Sequence, residues 1–252
     1  MPSSTAEALA KVPAVTLGFW IIKVLATTLG ETGGDTLSMS MNLGYLVSTG
    51  IFAVLFVAAV CLQIRVQRFR PLAYWAAIVA STTVGTTLAD FADRSLGIGY
   101  AGGSLLLSSL LAASLLAWYR TLGRIDVASV HTPRAEAFYW VTIMFSQTLG
   151  TALGDWTADS AGLGYSGAAL IFGGLLVATA GVYATTRVSR TVLFWTAFVL
   201  TRPLGAAVGD FLDKPVDAGG LDLSRLAASA VLFAAIVVLI FTLPQRAAKS
   251  SH

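Results

Sequence analysis

Residues 19–35 read FWIIKVLATTLGETGGD. An aromatic pair opens the stretch, and Lys23, Thr27, Glu31 and Asp35 then arrive at intervals of four. Steps of three and four close a turn of α-helix, so these side chains share one face of a mostly apolar rod. The phrase returns as YWAAIVASTTVGTTLAD at 74–90, YWVTIMFSQTLGTALGD at 139–155 and FWTAFVLTRPLGAAVGD at 194–210. In every copy a glycine (Gly30, Gly85, Gly150, Gly205) follows the Trp by ten residues and an aspartate (Asp35, Asp90, Asp155, Asp210) by fifteen. A further glycine nine residues on (Gly44, Gly99, Gly164, Gly219) opens a second apolar run. The chain is therefore a fourfold internal repeat of a two-helix unit.

Composition names the solvent. With 56% hydrophobic residues and 12% charged, the 252-residue chain has the balance of a membrane protein. Crossing a bilayer takes about 20 apolar residues. Runs of that order lie at 13–30, 43–63, 72–89, 101–119, 137–154, 165–186, 193–209 and 226–243, which makes eight expected spans. Trp-to-Trp spacings of 55, 65 and 55 describe a helical hairpin duplicated twice, in units 13–65, 70–120, 137–187 and 191–244. Residues 1–12, 121–136 and 245–252 are expected as an N-terminal segment, a linker between halves and a tail, all cytoplasmic.

Each hairpin crosses twice, so all copies enter in the same sense and are parallel repeats about an axis along the membrane normal. The expected fold is an all-α integral membrane protein in a pseudo-fourfold, two-by-two arrangement. Odd helices lie inside it, even helices outside, and the four aspartates at one depth. Basic residues collect at the Trp-bearing ends of the hairpins: Lys11, Arg65, Arg68, Arg70, Arg120, Arg124, Arg134, Arg187, Arg190, Arg246 and Lys249. The opposite connections are acidic, with Arg94, Lys214 and Arg225 as counterweights. The positive-inside rule then puts both termini in the cytoplasm. The N-terminus lacks the basic start and cleavage site of a secretory signal, so the first span is expected to be retained. One cysteine, Cys61, allows no internal disulfide, and His131 and His252 lie outside the spans, which disfavours thiolate or imidazole metal chemistry.

Every odd helix carries a polar lane. The second holds Thr82, Thr86, Asp90 and Asp93; the third Gln147, Thr151 and Asp155, with Asp159 beside them; the fourth Arg202, Asp210 and Asp213. Central charges cost roughly 2.5 to 3.5 kcal/mol each even on lenient insertion scales, so the lanes should face a bundle interior or a wet cavity. Asp35, Asp90, Asp155, Asp210 and Glu31 together offer hard oxygen ligands to a divalent cation, Mn²⁺ foremost, with Mg²⁺ or Ca²⁺ as alternatives. The plainer account is that the aspartates cap helix ends and the glycines allow close helix packing. Arg202 stands about one turn below Glu31, and an ion pair is expected if the first and seventh helices adjoin. Such a pair could gate the route. Lys23 either joins that charge system or snorkels to the interface. Pro203 is expected to kink its helix. The Trp residues read as interfacial anchors and His131 as a surface histidine.

TLGETGGD at 28–35, FADRSLGIGY at 91–100 and LTRPLGAAVGD at 200–210 make the chain resemble a bacterial group of uncharacterised membrane-anchored proteins. The likeness extends over nearly all of residues 12–246. It implies a multispan protein of the bacterial inner membrane and no settled activity. ETGGDT, with Glu31, Gly33, Asp35 and Thr36, is more loosely similar to the Glu-x-Gly-Asp motif of manganese and calcium exporters. Here the motif has an extra residue, and the other copies lack the Glu.

The function expected is a transporter for a divalent metal cation, most plausibly an Mn²⁺ exporter, with no organic cofactor, no nucleic-acid partner and no enzymatic nucleophile paired with a base. The alternative is a non-transporting sensor or partner subunit whose acidic outer face binds metal or protein. That alternative predicts a lane sealed by large side chains.

Overall fold

The computed structural model describes residues 11–66, 68–125, 130 and 132–248. Residues 1–10, His131, Lys249 and His252 lie outside the described residues. Eight α-helices follow one another: α1 (Leu17–Asp35), α2 (Gly44–Arg65), α3 (Pro71–Asp90), α4 (Gly99–Leu122), α5 (Pro133–Asp155), α6 (Gly164–Thr185), α7 (Arg190–Asp213) and α8 (Arg225–Thr242). Among the described residues no strand forms beyond an isolated bridge between Pro13 and Ala247. Six helices, α2, α3, α4, α6, α7 and α8, are long and apolar enough to cross a membrane. The other two, α1 and α5, hold Lys23, Glu31 and Gln147 in the lane.

Local chemistry sets the ends. Thr16 and Thr132 cap α1 and α5 by accepting from the Phe19 and Ala135 amides at 3.2 Å, and Pro71 and Pro133 open their helices where no amide donor is needed. After the repeat aspartate, α1, α3 and α5 each widen into a π-helical turn, closed by Met41, Leu96 and Ala161 amides donating five residues back. Two left-handed residues then reverse the chain: Asn42 and Gly44 in the first repeat, Gly97 and Gly99 in the second, Gly162 and Gly164 in the third. The fourth repeat, where the motif reads AGGL, ends its helix at Asp213 before Pro215 and turns through a short 3₁₀ segment, Val216–Ala218. α7 runs on through Pro203 as a continuous helix.

The odd helices form a closed ring in the order α1, α3, α5, α7 and back to α1. Each even helix packs on the outside against the next odd helix in that order: α2 on α3, α4 on α5, α6 on α7, and α8 on α1. The sequence repeat is thus not the packed hairpin in space. Short connections from α2 to α3 and from α6 to α7 favour antiparallel neighbours, but α8 packs on α1 with no chain connection between them, so the same placement recurs whatever the linker.

Glycine closes the ring by a relay. A Cβ on Gly30 would lie 2.8 Å from Thr82 Cβ, and one on Gly85 would lie 3.0 Å from the Gln147 carbonyl carbon. A Cβ on Gly150 would collide with the Arg202 stem, and one on Gly205 would lie 2.7 Å from the Thr27 carbonyl carbon. Each glycine therefore receives the lane residue of the next repeat, and the last receives the first. A second layer repeats the device at Gly34 against Thr86, Gly154 against Ala206 and Gly209 against Glu31. Small residues of this kind let helix backbones approach closely.

At the opposite end from the aspartates, Phe19, Tyr74, Tyr139 and Phe194 make an aromatic tier, with Tyr74 and Tyr139 hydroxyls 2.7 Å apart. Trp75, Trp140 and Trp195 pack into the same cluster and are buried. This corrects the reading of these three repeat Trp residues as interfacial anchors, while Trp20 of the first repeat is half-buried at the edge of the cluster. The three buried rings lie 5.2 to 5.4 Å from the preceding Tyr or Phe of their own pair, edge to face, which favours stacking in the core over a place at the rim. Only Trp156 is well exposed, at 42%.

The relay sets a prediction for stability. Gly205→Ala should cost about 1–3 kcal/mol by overpacking the α7–α1 contact. Gly174→Ala, where nothing lies within 4 Å, should be neutral or stabilising. Thermal unfolding of the two variants in the same detergent checks the contrast.

Candidate functional site

The lanes converge inside the ring as four tiers. Nearest the aromatic end are Lys23, Ile78, Ile143 and Phe198, all with no exposed surface. Lys23 does not snorkel. Its ammonium donates to Thr201 Oγ1 at 3.2 Å and sits 4.2 Å from the centre of the Phe198 ring. The next tier holds Thr27, Thr82, Gln147 and Arg202, again fully buried. Thr27 donates to the Thr201 carbonyl of α7 at 3.0 Å, while the Gln147 amide and Thr82 hydroxyl have no hydrogen-bond partner among the described residues.

Arg202 reaches into the third tier, formed by Glu31, Thr86, Thr151 and Ala206. One guanidinium nitrogen, Nη2, lies 2.8 Å from Glu31 Oε2, 2.5 Å from Thr86 Oγ1 and 2.6 Å from Thr151 Oγ1. Nη1 donates to the Thr27 carbonyl at 3.4 Å. The expected pair between Arg202 and Glu31 is present in this geometry because α7 and α1 adjoin in the ring. The two threonines could be located by repeat register alone, since each stands at the position Glu31 holds in the first copy.

Asp35, Asp90, Asp155 and Asp210 make the fourth tier, each nearly buried. They are not an open ring of carboxylates. Arg94 Nε lies 3.0 Å from Asp90 Oδ1 and its Nη2 lies 3.3 Å from Asp155 Oδ2. Lys214 Nζ lies 2.6 Å from Asp35 Oδ2 and 3.0 Å from Asp210 Oδ1. The four acids therefore divide into two pairs, each bridged by one cation. The Lys214 pair is extended by Asp213, whose Oδ2 is 3.2 Å from Arg225 Nε. Burial works against the charge on Lys214, and the carboxylates of Asp210, Asp35 and Asp213 more than offset it, so its ammonium is held well above the ordinary lysine range.

Arg94 and Lys214 are site residues that the charge sum of the loops shows only as counterweights. The signal was available. Both stand four residues after a repeat aspartate, one helical turn on, where the other copies have Met39 and Asp159. Asp159 itself does not join the lane: it is exposed and accepts from the Tyr100 hydroxyl at 3.1 Å. Asp93 is buried against Gly103 of α4, outside the ring, with neither oxygen hydrogen-bonded among the described residues.

One oxygen from each of Glu31, Asp35 and Asp210 lies within 4.8 Å of the others, all three residues being buried. These acids span the α7–α1 seam, and they are the part of the proposed ligand set that comes closest together.

The fourfold architecture has a counterpart among known families. The sequence matches the Repeat of Unknown Function (DUF347) four times, over residues 18–69, 73–123, 138–189 and 193–246. The chain belongs to the DUF347 family. No curated protein and no solved structure matches it. Each DUF347 repeat contributes one inner helix, one π or 3₁₀ turn and one outer helix, and the glycine and aspartate shared by all four copies are those of the packing relay and the acid tier.

The two cation bridges of the DUF347 ring differ in exposure, Arg94 at 32% and Lys214 at 11%. Arg94→Met should cost about 3 kcal/mol, because it leaves the buried Asp90 and Asp155 without their cation, and salt should offset part of that loss since ions reach the place its partly exposed guanidinium holds. Lys214→Met should cost about 3–5 kcal/mol because it leaves buried acids uncompensated. Chemical denaturation at low and high ionic strength separates the two.

Proposed function

We propose that this DUF347 protein is a multi-pass transporter of a divalent cation, with Glu31, Asp35 and Asp210 as the cargo-binding carboxylates and Lys214 as a built-in counter-cation that cargo displaces. The carrying observation is the cluster of three buried carboxylates whose oxygens lie within 4.8 Å, with a lysine ammonium already bridging two of them. Charge favours the exchange. Lys214 brings one positive charge to two acids, whereas a divalent ion brings two, and hard divalent ions take oxygen ligands. Mn²⁺ is the first cargo to test, then Mg²⁺ and Ca²⁺.

In this reading all eight helices cross a bacterial inner membrane, with both termini and the aromatic tier on the cytoplasmic side. α1 and α5 cross inside the ring, where α2, α4, α6 and α8 shield their polar lanes from lipid. Ionisable groups held within a membrane bundle mark ion pathways more often than folding devices. Lys23, Arg202 and Glu31 are then the groups along the route below the acid tier.

A second reading is favoured by one observation: Phe198, Ile78 and Ile143 have no exposed surface and pack into one cluster with the aromatic tier, so among the described residues large side chains close the lane at that end. It makes the protein a non-transporting sensor or partner subunit whose acidic end binds metal or another protein.

Proteoliposomes loaded with an Mn²⁺-quenched dye distinguish the two. Transport predicts saturable quenching that falls at least about tenfold in Asp210→Asn, since losing a charged ligand removes well over 1.4 kcal/mol of binding. Undiminished flux in that variant sinks the proposed site. Binding of Mn²⁺ without flux in the wild type supports the sensor.

A further inference from the structure

At the aromatic end, residues 11–14 cross the bundle instead of leaving it. Pro13 bridges to Ala247, Ala14 N donates to the Arg246 carbonyl at 2.8 Å, and Ala248 N donates to the Val12 carbonyl at 2.9 Å. The segments before α1 and after α8 are thus paired as a short antiparallel ribbon. Lys11 N adds a bond to the Val130 carbonyl of the segment between the halves, at 3.1 Å.

The ribbon is seated on the core. Val12 and Val130, each 1% exposed, belong to the same apolar cluster as Phe19, Tyr74, Trp75, Tyr139, Trp140, Phe194 and Trp195. Gln245 accepts from Trp75 Nε1 at 3.2 Å. The strap therefore lies directly against the tier that ends the axis, one layer beyond Lys23, Ile78, Ile143 and Phe198.

Its fastening is ionic and buried. Lys11 Nζ lies 2.7 Å from Glu136 Oε1 in the first turn of α5, with side-chain exposures of 9% and 1%. The same ammonium donates to the Ile64 carbonyl at the end of α2 at 2.8 Å, and Gln63 Nε2 donates back to the Lys11 carbonyl at 2.8 Å. One lysine is thus held by the first and third repeats at once. A loose terminal segment gains nothing from placing a lysine beside a nearly inaccessible glutamate, because each charge is costly to bury without the other.

We propose that residues 11–14 and 245–248 form a closing strap over the aromatic end of the axis, latched by the Lys11–Glu136 pair, and that release of this latch exposes the inner tiers to water. The strap does not depend on what crosses the axis. It holds whether the protein transports a cation or senses one.

The test uses the full chain with Cys61→Ser and a reporter, Ile78→Cys, in the tier beyond the strap. A membrane-impermeant maleimide is added to detergent-solubilised protein, and the labelling rate is followed. Labelling of a buried thiol tracks the open population when opening and closing are fast. Lys11→Glu should raise the rate at least about tenfold, and the swap Lys11→Glu with Glu136→Lys should bring it back towards the starting value. Glu136→Gln, which keeps the shape and removes the charge, should raise it as well, and it serves if the reversal misfolds. An unchanged rate in Lys11→Glu and Glu136→Gln overturns the proposal, even if their melting temperatures fall, since a mere staple would change stability without opening the axis. A swap that labels as fast as the single reversal overturns the latch.

Discussion

A single guanidinium holds the middle of the molecule. Arg202 leaves α7 and meets Glu31 on α1, Thr86 on α3 and Thr151 on α5, so every inner helix touches one side chain. A buried arginine without these partners would carry an uncompensated charge in a low-dielectric interior. With them it is a fastener whose geometry requires all four helices to be at the correct height. Gly150 is what allows its stem to pass, because a side chain there would collide with Arg202.

The ring that results is fourfold in backbone and twofold in charge. All four DUF347 repeats keep the glycine that admits the neighbour and the aspartate of the outer tier. The position one turn after that aspartate has diverged to Arg94 and Lys214 in the second and fourth copies. Each cation then clamps its own aspartate to that of a neighbouring helix, Arg94 across α3–α5 and Lys214 across α7–α1. Among the described residues the remaining seams, α1–α3 and α5–α7, have no such clamp in the acid tier. The two clamped seams are therefore unlike the other two, and among the described residues the α7–α1 seam adds Glu31 and Asp213 to its pair of aspartates.

Much of this was legible in the sequence because the determinants are periodic. Trp, Gly and Asp at fixed offsets announce four copies, the four-residue steps announce one polar face, and the pairing of Arg202 with Glu31 follows from depth. Parallel repeats then require a common axis. What escaped depends on contacts between copies or between distant segments. The packing of each outer helix on the inner helix of the next copy, α2 on α3 and α8 on α1 alike, is a contact between copies that hydropathy does not weigh. Burial of Trp75, Trp140 and Trp195 comes from rings meeting rings across repeats, and a single repeat cannot reveal it. The bridging roles of Arg94 and Lys214 were hidden by reading loop charges as a sum rather than by register. The strap joins Lys11 to Glu136 across 125 positions, and nothing periodic marks either residue.

The most direct test of the account is a double-mutant cycle on Arg202 and Glu31, read by reversible denaturation in one detergent. Arg202→Met and Glu31→Gln each remove one charge, and the pair removes both. If the guanidinium is the fastener described, the cycle gives a coupling of about 3 kcal/mol or more, with the double variant more stable than additivity allows. If the two single effects add to within about 0.5 kcal/mol, Arg202 and Glu31 do not share a bond and the guanidinium is not the fastener described.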